Sequence, residues 1–206
     1  MNLSTTEITR KRYDRIAPFY DLIESPVEKL LFSSWRKSLK YRMTGKQALE
    51  VGVGTGKNLP YYPSDMHITA IDLSPSMIAR ARKRAEALKL NVDIRQLDVQ
   101  ALDFPDKTFD TVFATFVFCS VPDPILGLRE LHRVCKPSGR LLLIEHMRPE
   151  NPLLGIFFDL LNPLILRMMG ANINRRTVDN IHSAGWKIET VRDLASDIVR
   201  WIEARP

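Results

Sequence analysis

The stretch Ala48-Leu49-Glu50-Val51-Gly52-Val53-Gly54-Thr55-Gly56 decides the fold of this 206-residue chain. It reads as a short apolar strand that runs into glycines at every second position, with an acid two residues before the first glycine. Because glycine has no Cβ, the backbone of such a turn can lie directly against a ligand. A nucleotide-like cofactor is the usual occupant of a glycine turn at the end of a strand. The stretch therefore predicts a cofactor site at the carboxyl end of a buried strand.

Strand and helix patterns alternate along the chain from residue 47 onward, which is typical of an open α/β sheet. The apolar runs predict strands at 47–51, 67–72, 92–97, 109–116 and 140–146, helices at 75–88 and 124–134, a turn at 136–139, and a closing hairpin of 186–192 and 198–203. The run at 109–116 is almost continuously apolar, as expected of a strand that is covered on both faces.

The size and composition of the chain favour one domain with a full core. We expect residues 1–46 to form a helical lid or docking segment and 47–206 to form the α/β domain. The N-terminus carries no apolar signal region, so we expect a cytoplasmic protein. The two cysteines, Cys119 and Cys135, fit a reducing compartment.

Positive charge is concentrated in the N-terminal segment. Residues 1–46 hold 10 Lys and Arg against 5 Asp and Glu. The segment reads as helical over 8–43, and at 100° per residue Lys29, Arg36 and Lys40 lie opposite its apolar face. Such a basic face attracts anionic surfaces, either lipid headgroups or nucleic acid, or it is simply a solvated helix face. A peripheral contact with the inner face of an anionic membrane is one partner that this charge favours.

A very apolar stretch at 153–169 lies outside the alternating pattern. It is interrupted by Asp159, Pro163 and Arg167, so it is too broken to span a bilayer. We expect a buried or interfacial pair of helices that is bent at Pro163.

Three acids indicate which cofactor the glycine turn holds. A dinucleotide turn has the spacing G-x-G-x-x-G, but its third glycine position is occupied here by Lys57. Glu50 before the turn suits a cationic group better than a pyrophosphate. Asp72 lies at the end of the second strand, where it can accept from ribose hydroxyls, and Asp98 lies at the end of the third, where it can accept from an adenine amine. These carboxylates would repel a phosphorylated cofactor and favour a sulfonium.

The arrangement resembles the class I S-adenosylmethionine (SAM)-dependent methyltransferases over residues 47–146. The matching motifs are LEVGVGTG (49–56), IDLSPSMI (71–78), QLDV (96–99), LDFPDKTFD (102–110) and HRVCKPSGRLLLIE (132–145). The resemblance implies a Rossmann-like α/β sheet of seven strands in the order 3-2-1-4-5-7-6, with helices on both faces and the seventh strand antiparallel. It implies SAM as the cofactor, bound by Glu50, Gly52, Gly54, Gly56, Asn58, Asp72, Leu73, Met77, Asp98, Val99 and Phe116.

Further motifs narrow the methyl acceptor to three classes. The segment YDRIAPFYD (13–21) resembles the opening of methyltransferases of quinone biosynthesis and of bacterial phosphatidylethanolamine N-methyltransferases, and VGVGTG resembles the latter most. We therefore expect N-methylation of an aminophospholipid headgroup. The motif FCSVPDP (118–124) and the region after 144 also resemble small membrane-associated methyltransferases that act on thiols. A quinone ring carbon and a thiol or other small molecule thus stay open as acceptors.

Methyl transfer from a sulfonium needs alignment and exclusion of water more than covalent help. We expect Tyr13 and Tyr20 to close over the cofactor as part of a lid, or else to pack the N-terminal helix onto the sheet. His146, after the fifth strand, is a candidate base, or else a hydrogen-bonded residue at a strand end. Cys119 reads as a small buried residue rather than a substrate contact. The four histidines show no metal spacing, so no metal is expected.

Nucleic acid is an unfavoured acceptor. Enzymes that methylate a base carry an N/D-P-P-Y/F turn after the fourth strand to hold a flipped base. That place reads ATFVF here (114–118), and no Pro-Cys nucleophile is present. A cofactor-binding protein without activity remains the non-enzymatic alternative.

Overall fold

The structure is a computed structural model that describes residues 4–206, except for the side chains at 23–27, 29–30 and 169. Its strands form one sheet in the order β3-β2-β1-β4-β5-β7-β6. The strands are β1 (Gln47–Val51), β2 (His67–Asp72), β3 (Asp93–Gln96), β4 (Phe109–Thr115), β5 (Cys135–His146), β6 (Lys187–Ala195) and β7 (Val199–Arg205). β7 runs antiparallel to both of its neighbours, and the other pairs are parallel. The predicted strand order and the closing hairpin are confirmed.

Helices cover both faces of this sheet. They are α1 (Thr5–Val27), a π-helical turn (Glu28–Phe32), α2 (Ser33–Leu39), α3 (Pro75–Ala87), α4 (Pro124–Val134), α5 (Pro152–Met169) and α6 (Thr177–Ser183). Residues from α4 and α6 pack on one face of the central strands, and residues from α2 and α3 pack on the other. Val112 and Phe113 point to opposite faces of β4 and both are fully buried, as the continuous apolar run predicts.

The turn expected at 136–139 is instead the first part of β5. Cys135 pairs with Phe109, and the next pair along is Arg140 with Thr111. The extra residues of β5 therefore form an irregularity in the ladder, and a proline such as Pro137 is tolerated at such a place.

Helix α5 differs from the expected pair of bent helices, because it is one helix of 18 residues with Pro163 inside it. The side chain of Asn151 accepts from the backbone N–H groups of Leu153 and Leu154 at the start of the helix, and Gly170 ends it in a left-handed conformation. Pro163 has no backbone N–H to donate, and the helix continues through it without that hydrogen bond.

Of the two placements expected for this segment, buried or interfacial, the buried one is wrong. The side chains of Leu153 and Leu160 are 81% and 75% exposed. In the part of the chain that the structure describes, none of the helices is long and apolar enough to cross a membrane.

Candidate functional site

The glycine turn after β1 presents bare backbone at the carboxyl edge of the sheet. Gly52 and Gly54 have φ angles of +66° and +54°, which favour glycine over other residues. A Cβ on Gly52 would collide with the side chain of Val117. A Cβ on Gly54 would meet nothing closer than 3.9 Å, so it would project into open space. Gly54 is thus the point at which a ligand can lie against the backbone.

A cleft with an empty volume of about 710 Å³ opens at this edge. Ten of the predicted site residues line the cleft: Tyr13, Tyr20, Gly52, Gly54, Asp72, Leu73, Met77, Asp98, Val99 and Phe116. The fold therefore brings residues from α1, from the ends of β1, β2 and β4, and from the turn after β3 to one place.

Two of the predicted acids face this cleft. Asp72 accepts hydrogen bonds at 2.8 Å from the backbone N–H groups of Gly54 and Ser74. Burial raises the pKa of Asp72, although these two bonds act in the opposite direction. Asp98 accepts at 2.9 Å from the backbone N–H of Gln100 and also from its side-chain amide. Carboxylates in these positions can accept hydrogen bonds from the hydroxyl and amine groups of a nucleoside.

Glu50 lies behind the glycine turn and is not among the described residues that line the cleft. It is 1% exposed, and its two carboxylate oxygens accept from the side-chain amide of Asn58 at 2.5 Å and from the hydroxyl of Tyr62. Burial raises the pKa of Glu50 to about 7 and raises that of Tyr62 well above its ordinary value. Glu50 and Asn58 are therefore placed to support the wall of the cleft. Gly56 lies on the same side, against Leu59.

Arg36 belongs to this buried network, although the sequence placed it on an exposed basic face. It is 5% exposed, and its Nη1 donates to Thr115 Oγ1 at 2.5 Å and to Asn58 Oδ1 at 3.2 Å. Its Nε donates to Glu28 at 3.1 Å. The π-helical turn before α2 shifts the phase of the helix, which a constant step of 100° per residue does not anticipate. The acid at Glu28 is the one signal in the sequence that could have revealed this inward position.

Helix α1 lies over the cleft and is tied to three of the loops around it. Gln100, after β3, donates from its side chain to Thr6 Oγ1 at 3.2 Å. Ser74, after β2, donates its hydroxyl to Asp14 at 2.6 Å. Thr55, in the glycine turn, donates its hydroxyl to Asp21 at 2.6 Å, and Lys57 and Arg84 form ion pairs with the same carboxylate.

The loop after β4 carries the other wall of the cleft. Phe116 has a φ of +59°, a strained value for a residue with a side chain. Glu145 at the end of β5 accepts from the backbone N–H groups of Val117 and Phe118 at 2.9 and 3.1 Å. Its other oxygen is buried with no hydrogen-bond partner among the described residues, and burial raises its pKa to about 7. Glu145 thus positions this loop, a role that the sequence did not assign.

The remaining candidates lie outside the cleft. The ring of His146 stacks on Phe158 of α5 with centroids 6.1 Å apart, and His146 is not among the described lining residues. Burial lowers the pKa of His146, which favours the neutral form of its ring. Cys119 is buried, and burial together with Glu145 raises its pKa to about 12, so it stays a thiol. Across residues 4–206, no group of three or more His, Cys, Asp or Glu is arranged to hold a metal ion.

The cleft suits a cationic nucleoside cofactor. The backbone at Gly54 is open to a ligand, and the carboxylates of Asp72 and Asp98 can accept hydrogen bonds from a ribose and an adenine. The negative charge of these carboxylates also favours a cationic ligand. The charged side chains among the described lining residues are the acids Asp72 and Asp98, which repel a phosphate. The residues present therefore fit SAM, whose sulfonium, ribose and adenine have these requirements.

The sequence matches a family model over its central part and two curated methyltransferases over longer stretches. The model, described as Methyltransferase domain, covers residues 49–143. The chain is 44% identical to a phosphatidylethanolamine N-methyltransferase of Cereibacter sphaeroides over 115 residues, which are 54% of this chain and 57% of that relative. It is 32% identical to a demethylmenaquinone methyltransferase of Thermus thermophilus over 168 residues, which are 79% of this chain and 76% of that relative. The first match therefore spans little more than half of either protein.

A solved structure agrees with the fold at low sequence identity. A SAM-dependent methyltransferase of Thermotoga maritima, described as a possible histamine N-methyltransferase, matches with a TM-score of 0.72 and 19% identity. The match covers 95% of this chain and 98% of that one. At this level of identity the likeness shows the fold alone.

Proposed function

The chain belongs to the methyltransferase domain family of SAM-dependent enzymes, and from this premise we propose that it methylates the amine of an aminophospholipid headgroup at a membrane surface. The resemblance to a phosphatidylethanolamine N-methyltransferase over half of the chain supports this acceptor. The observation that carries the proposal is the outer face of α5.

Helix α5 exposes a continuous apolar stripe. Its members recur at helical spacing and are each between 54% and 81% exposed: Leu153, Ile156, Phe157, Leu160, Leu164 and Met168. An exposed apolar face of this extent marks an interaction surface rather than a solvated helix. The polar side of the same helix is fixed to the protein, since Asp159 pairs with Arg148 at 2.9 Å and Asn162 donates to Asn172 at 3.2 Å.

Helix α1 continues this surface with both charge and apolar area. Gly170, just after α5, is close to Arg12, because a Cβ at Gly170 would lie 3.2 Å from Arg12 Cδ. The exposed residues Lys11, Arg15, Phe19 and Leu22 share the outer face of α1. A helix with cationic and large apolar residues on its outer face binds at the surface of an anionic bilayer.

The basic face predicted from the sequence contributes less to this surface than expected. Arg36 is buried, and the side chain of Lys29 lies outside the described residues. Lys37 is exposed, and Lys40 is partly buried with its ammonium 4.9 Å from the ring centre of Tyr41. The docking surface in this proposal is therefore formed by the outer faces of α1 and α5.

The wall of the cleft is suited to an amine acceptor. Tyr13 and Tyr20 from α1 and Phe116 from the loop after β4 all line it. Aromatic faces attract an ammonium group by about 0.5–2 kcal/mol, which favours an amine that gains positive charge on methylation. When SAM is bound, it supplies a methyl group to the lone pair of the neutral amine, and the C–N bond forms as the C–S bond breaks with its electron pair left on sulfur. The tyrosines thus hold the amine and exclude water.

The amine must lose a proton before it can attack. We propose that the tyrosine hydroxyls at the cleft pass this proton outward. The neutral ring of His146 can accept a proton, but its stack on Phe158 lies outside the described lining. His146 therefore does not contact the amine directly. If it accepts the proton of the amine, another group must carry that proton to it.

An acceptor assay tests the proposal. The enzyme is incubated with methyl-labelled SAM and, separately, with vesicles of phosphatidylethanolamine and phosphatidylglycerol, a demethylated quinone, and small thiols. We expect the label in the phospholipid headgroup. Label in the quinone or thiol arm alone would overturn the phospholipid proposal and leave the methyltransferase activity standing, whereas cofactor binding without transfer in any arm would favour the non-enzymatic alternative.

Methylation of a quinone ring carbon is the second candidate. It is favoured by the relative from Thermus thermophilus, a demethylmenaquinone methyltransferase, because that similarity extends over 79% of the chain. An exposed apolar α5 would serve a lipid-soluble quinone as well as a phospholipid. The same three-arm assay separates the two candidates.

A further inference from the structure

A second cleft lies beyond the carboxyl end of β5, next to the start of α5. It is formed by residues 147–150 after β5, by residues 175–179 at the start of α6, and by one residue of β7. Four arginines and two acids are the charged residues among its described lining: Arg148, Arg175, Arg176 and Arg200 against Glu150 and Asp179. This arginine cleft therefore carries an excess of positive charge, whereas the charged side chains that line the cofactor cleft are acids.

Two of these arginines are neutralised by carboxylates of the protein. Arg200 pairs with Glu150 at 2.6 Å and with Asp193 at 2.8 Å. Arg148 pairs with Asp159 of α5 at 2.9 Å, and the hydrogen bond from this pair raises the pKa of Arg148. These pairs link the arginine cleft to α5 on one side and to β6 on the other.

The other two arginines lack an anionic partner. Arg175 and Arg176 form no ion pair with any residue that the structure describes, and neither does the exposed acid Asp179. Burial lowers the pKa of Arg175, as expected of a partly buried cation that no carboxylate contacts. Two guanidinium groups against one acid leave the cleft with a net positive charge.

Two polar atoms of residues that line this cleft are buried without a hydrogen-bond partner among the described residues. They are Nε of Arg175 and the hydroxyl oxygen of Thr177, a residue that is fully buried. Because buried polar groups are nearly always hydrogen-bonded, such atoms indicate a partner that the chain itself does not supply. A phosphate group has enough acceptor oxygens for guanidinium groups and a hydroxyl together, and arginine binds it through several parallel hydrogen bonds.

The arginine cleft adjoins both the cofactor cleft and α5. Nη2 of Arg175 donates at 2.8 Å to the backbone carbonyl of Val121, which lines the cofactor cleft. The pair of Arg148 with Asp159 joins the arginine cleft to the helix that carries the exposed apolar stripe. An aminophospholipid has the same order of groups, because its phosphate lies between the amine and the glycerol that bears the acyl chains.

We propose that the arginine cleft binds the phosphate group of the acceptor through Arg175, Arg176 and the hydroxyl of Thr177. The inference rests on the proposed function, since an aminophospholipid is the acceptor that carries a phosphate beside its amine. A phosphate held here directs the amine towards the cofactor cleft and leaves the acyl chains at α5. It also gives the enzyme a means to prefer a phospholipid over a quinone or a thiol, which have no phosphate.

Equilibrium binding of soluble probes tests the site without methyl transfer. The probes are glycerophosphoethanolamine, which carries the phosphate and the amine, inorganic phosphate, and ethanolamine, which carries the amine alone. We expect Arg175→Gln to weaken binding of the two phosphate probes about 10- to 100-fold, as expected for loss of a charged hydrogen-bond donor. Thr177→Val should weaken them about three- to tenfold. Binding of ethanolamine should change less than about twofold in either variant.

Three comparisons separate binding from folding. Thr177→Val should keep the full stability of the protein, because the hydroxyl that it removes has no partner among the described residues. Arg176→Gln changes an exposed residue, so it serves if Arg175→Gln does not fold. Arg129→Gln is the matched control, since Arg129 also donates to a backbone carbonyl, that of Ser183 at 3.3 Å, and is not among the described lining of either cleft. It should bind every probe as the unaltered protein does.

Methylation kinetics with a short-chain phosphatidylethanolamine connect the site to the acceptor. In the Arg176 and Thr177 variants the KM should rise by about the factor that the phosphate probes lose, with a smaller change in kcat. Unchanged binding of both phosphate probes in these variants would overturn the inference. So would a loss of phosphate binding with an unchanged KM, because the cleft would then hold a free anion rather than the acceptor. Label in the quinone or thiol arm of the acceptor assay on the unaltered enzyme would instead reject the proposed function, so the two failures are distinguishable.

Discussion

Asp14 of helix α1 accepts a hydrogen bond of 2.6 Å from the hydroxyl of Ser74, the residue that caps the N-terminus of α3. The same carboxylate oxygen accepts from the backbone N–H of Ser76 at 3.2 Å. The N-terminus of a helix carries a partial positive charge, so it stabilises a carboxylate placed there. This contact holds α1 over the cofactor cleft at the loop between β2 and α3.

The first prediction concerns the hydrogen bonds of Asp14 to the start of α3. Replacing Asp14 with Ala should speed dissociation of S-adenosylhomocysteine about five- to tenfold, because a charge-assisted bond at a partly exposed site contributes about 1 kcal/mol. Stopped-flow fluorescence gives the dissociation rate. Asp65→Ala is the control, since Asp65 forms an exposed pair with Lys46 at 3.0 Å in a part of the protein that does not line the cleft. An unchanged rate in the Asp14 variant would show that α1 does not hold the ligand in.

The second prediction separates backbone strain from contact with the cofactor. Gly54 and Gly185 both have positive φ angles, +54° and +95°, and a Cβ at either would meet nothing closer than 3.9 Å. Replacing either with Ala should cost about 1–2 kcal/mol of stability through strain. Only at Gly54 does the new methyl group project into the cleft, so only Gly54→Ala should also lose affinity for S-adenosylhomocysteine.

Calorimetric titration of both variants, together with chemical unfolding, distinguishes the two effects. Equal affinities in Gly54→Ala and Gly185→Ala would mean that the cofactor does not approach the backbone at Gly54. That result would argue against the placement of the cofactor, while the family membership would stand.

The positions of the strands were predictable because their signals are local and repeated, whereas the order of the sheet was implied by the resemblance to class I methyltransferases. The alternation of apolar runs with helix signals gave β1 and β2 with the residue bounds that the structure shows, and the acids Asp72 and Asp98 follow strand ends that meet at one edge. Parallel strands bring their carboxyl ends together whatever the loops do. Sequence pattern and the family resemblance together therefore predicted most of the residues that line the cleft.

The features that the sequence patterns did not show depend on individual side-chain contacts and on local changes in helix geometry. Glu50 was expected at the ligand, and the sequence did not show that its carboxylate accepts from Asn58 and Tyr62 behind the glycine turn. Arg36 was expected in solvent, because a fixed period of 100° per residue does not predict the π-helical turn before α2. It also does not predict the ion pair of Arg36 with Glu28. Two helices that meet at Pro163 were expected, and the structure has one helix that continues through this residue.

The third prediction concerns pH. The pKa of Glu145 is raised from its ordinary value of 4.5 to about 7 by burial, so the folded protein keeps this proton between those values while the unfolded chain has lost it. The stability of the unaltered protein should therefore fall as the pH rises from about 5 to 8, by on the order of 2 kcal/mol from this group. Glu50 acts in the same direction, since burial also raises its pKa to about 7.

Replacing Glu145 with Gln removes the proton but keeps an oxygen for the backbone N–H groups of Val117 and Phe118. Urea unfolding at both pH values should show a smaller fall for this variant than for the unaltered protein. Glu189→Gln, at an exposed pair with Arg205, should keep the full fall. The same fall in all three proteins would mean that Glu145 is ionised in the folded state.

The fourth prediction concerns the apolar stripe of α5. Replacing both Leu160 and Leu164 with Glu should lower binding to phosphatidylglycerol vesicles at least about tenfold, because each exposed leucine that enters a bilayer contributes about 1–3 kcal/mol. The two side chains are 75% and 55% exposed, so the fold should not change. Sedimentation with vesicles measures the binding, and unfolding confirms that stability is kept.

Leu88 is the matched control, because it is 42% exposed at the end of α3, away from the stripe. Leu88→Glu should bind vesicles as the unaltered protein does. The α5 variant should keep its affinity for S-adenosylhomocysteine and its methylation of a short-chain phospholipid below its micelle concentration, while it loses activity on vesicles. If vesicle binding is unchanged, the stripe does not touch the bilayer. If activity on the short-chain lipid is lost with vesicle binding intact, α5 instead covers the acceptor inside the cleft.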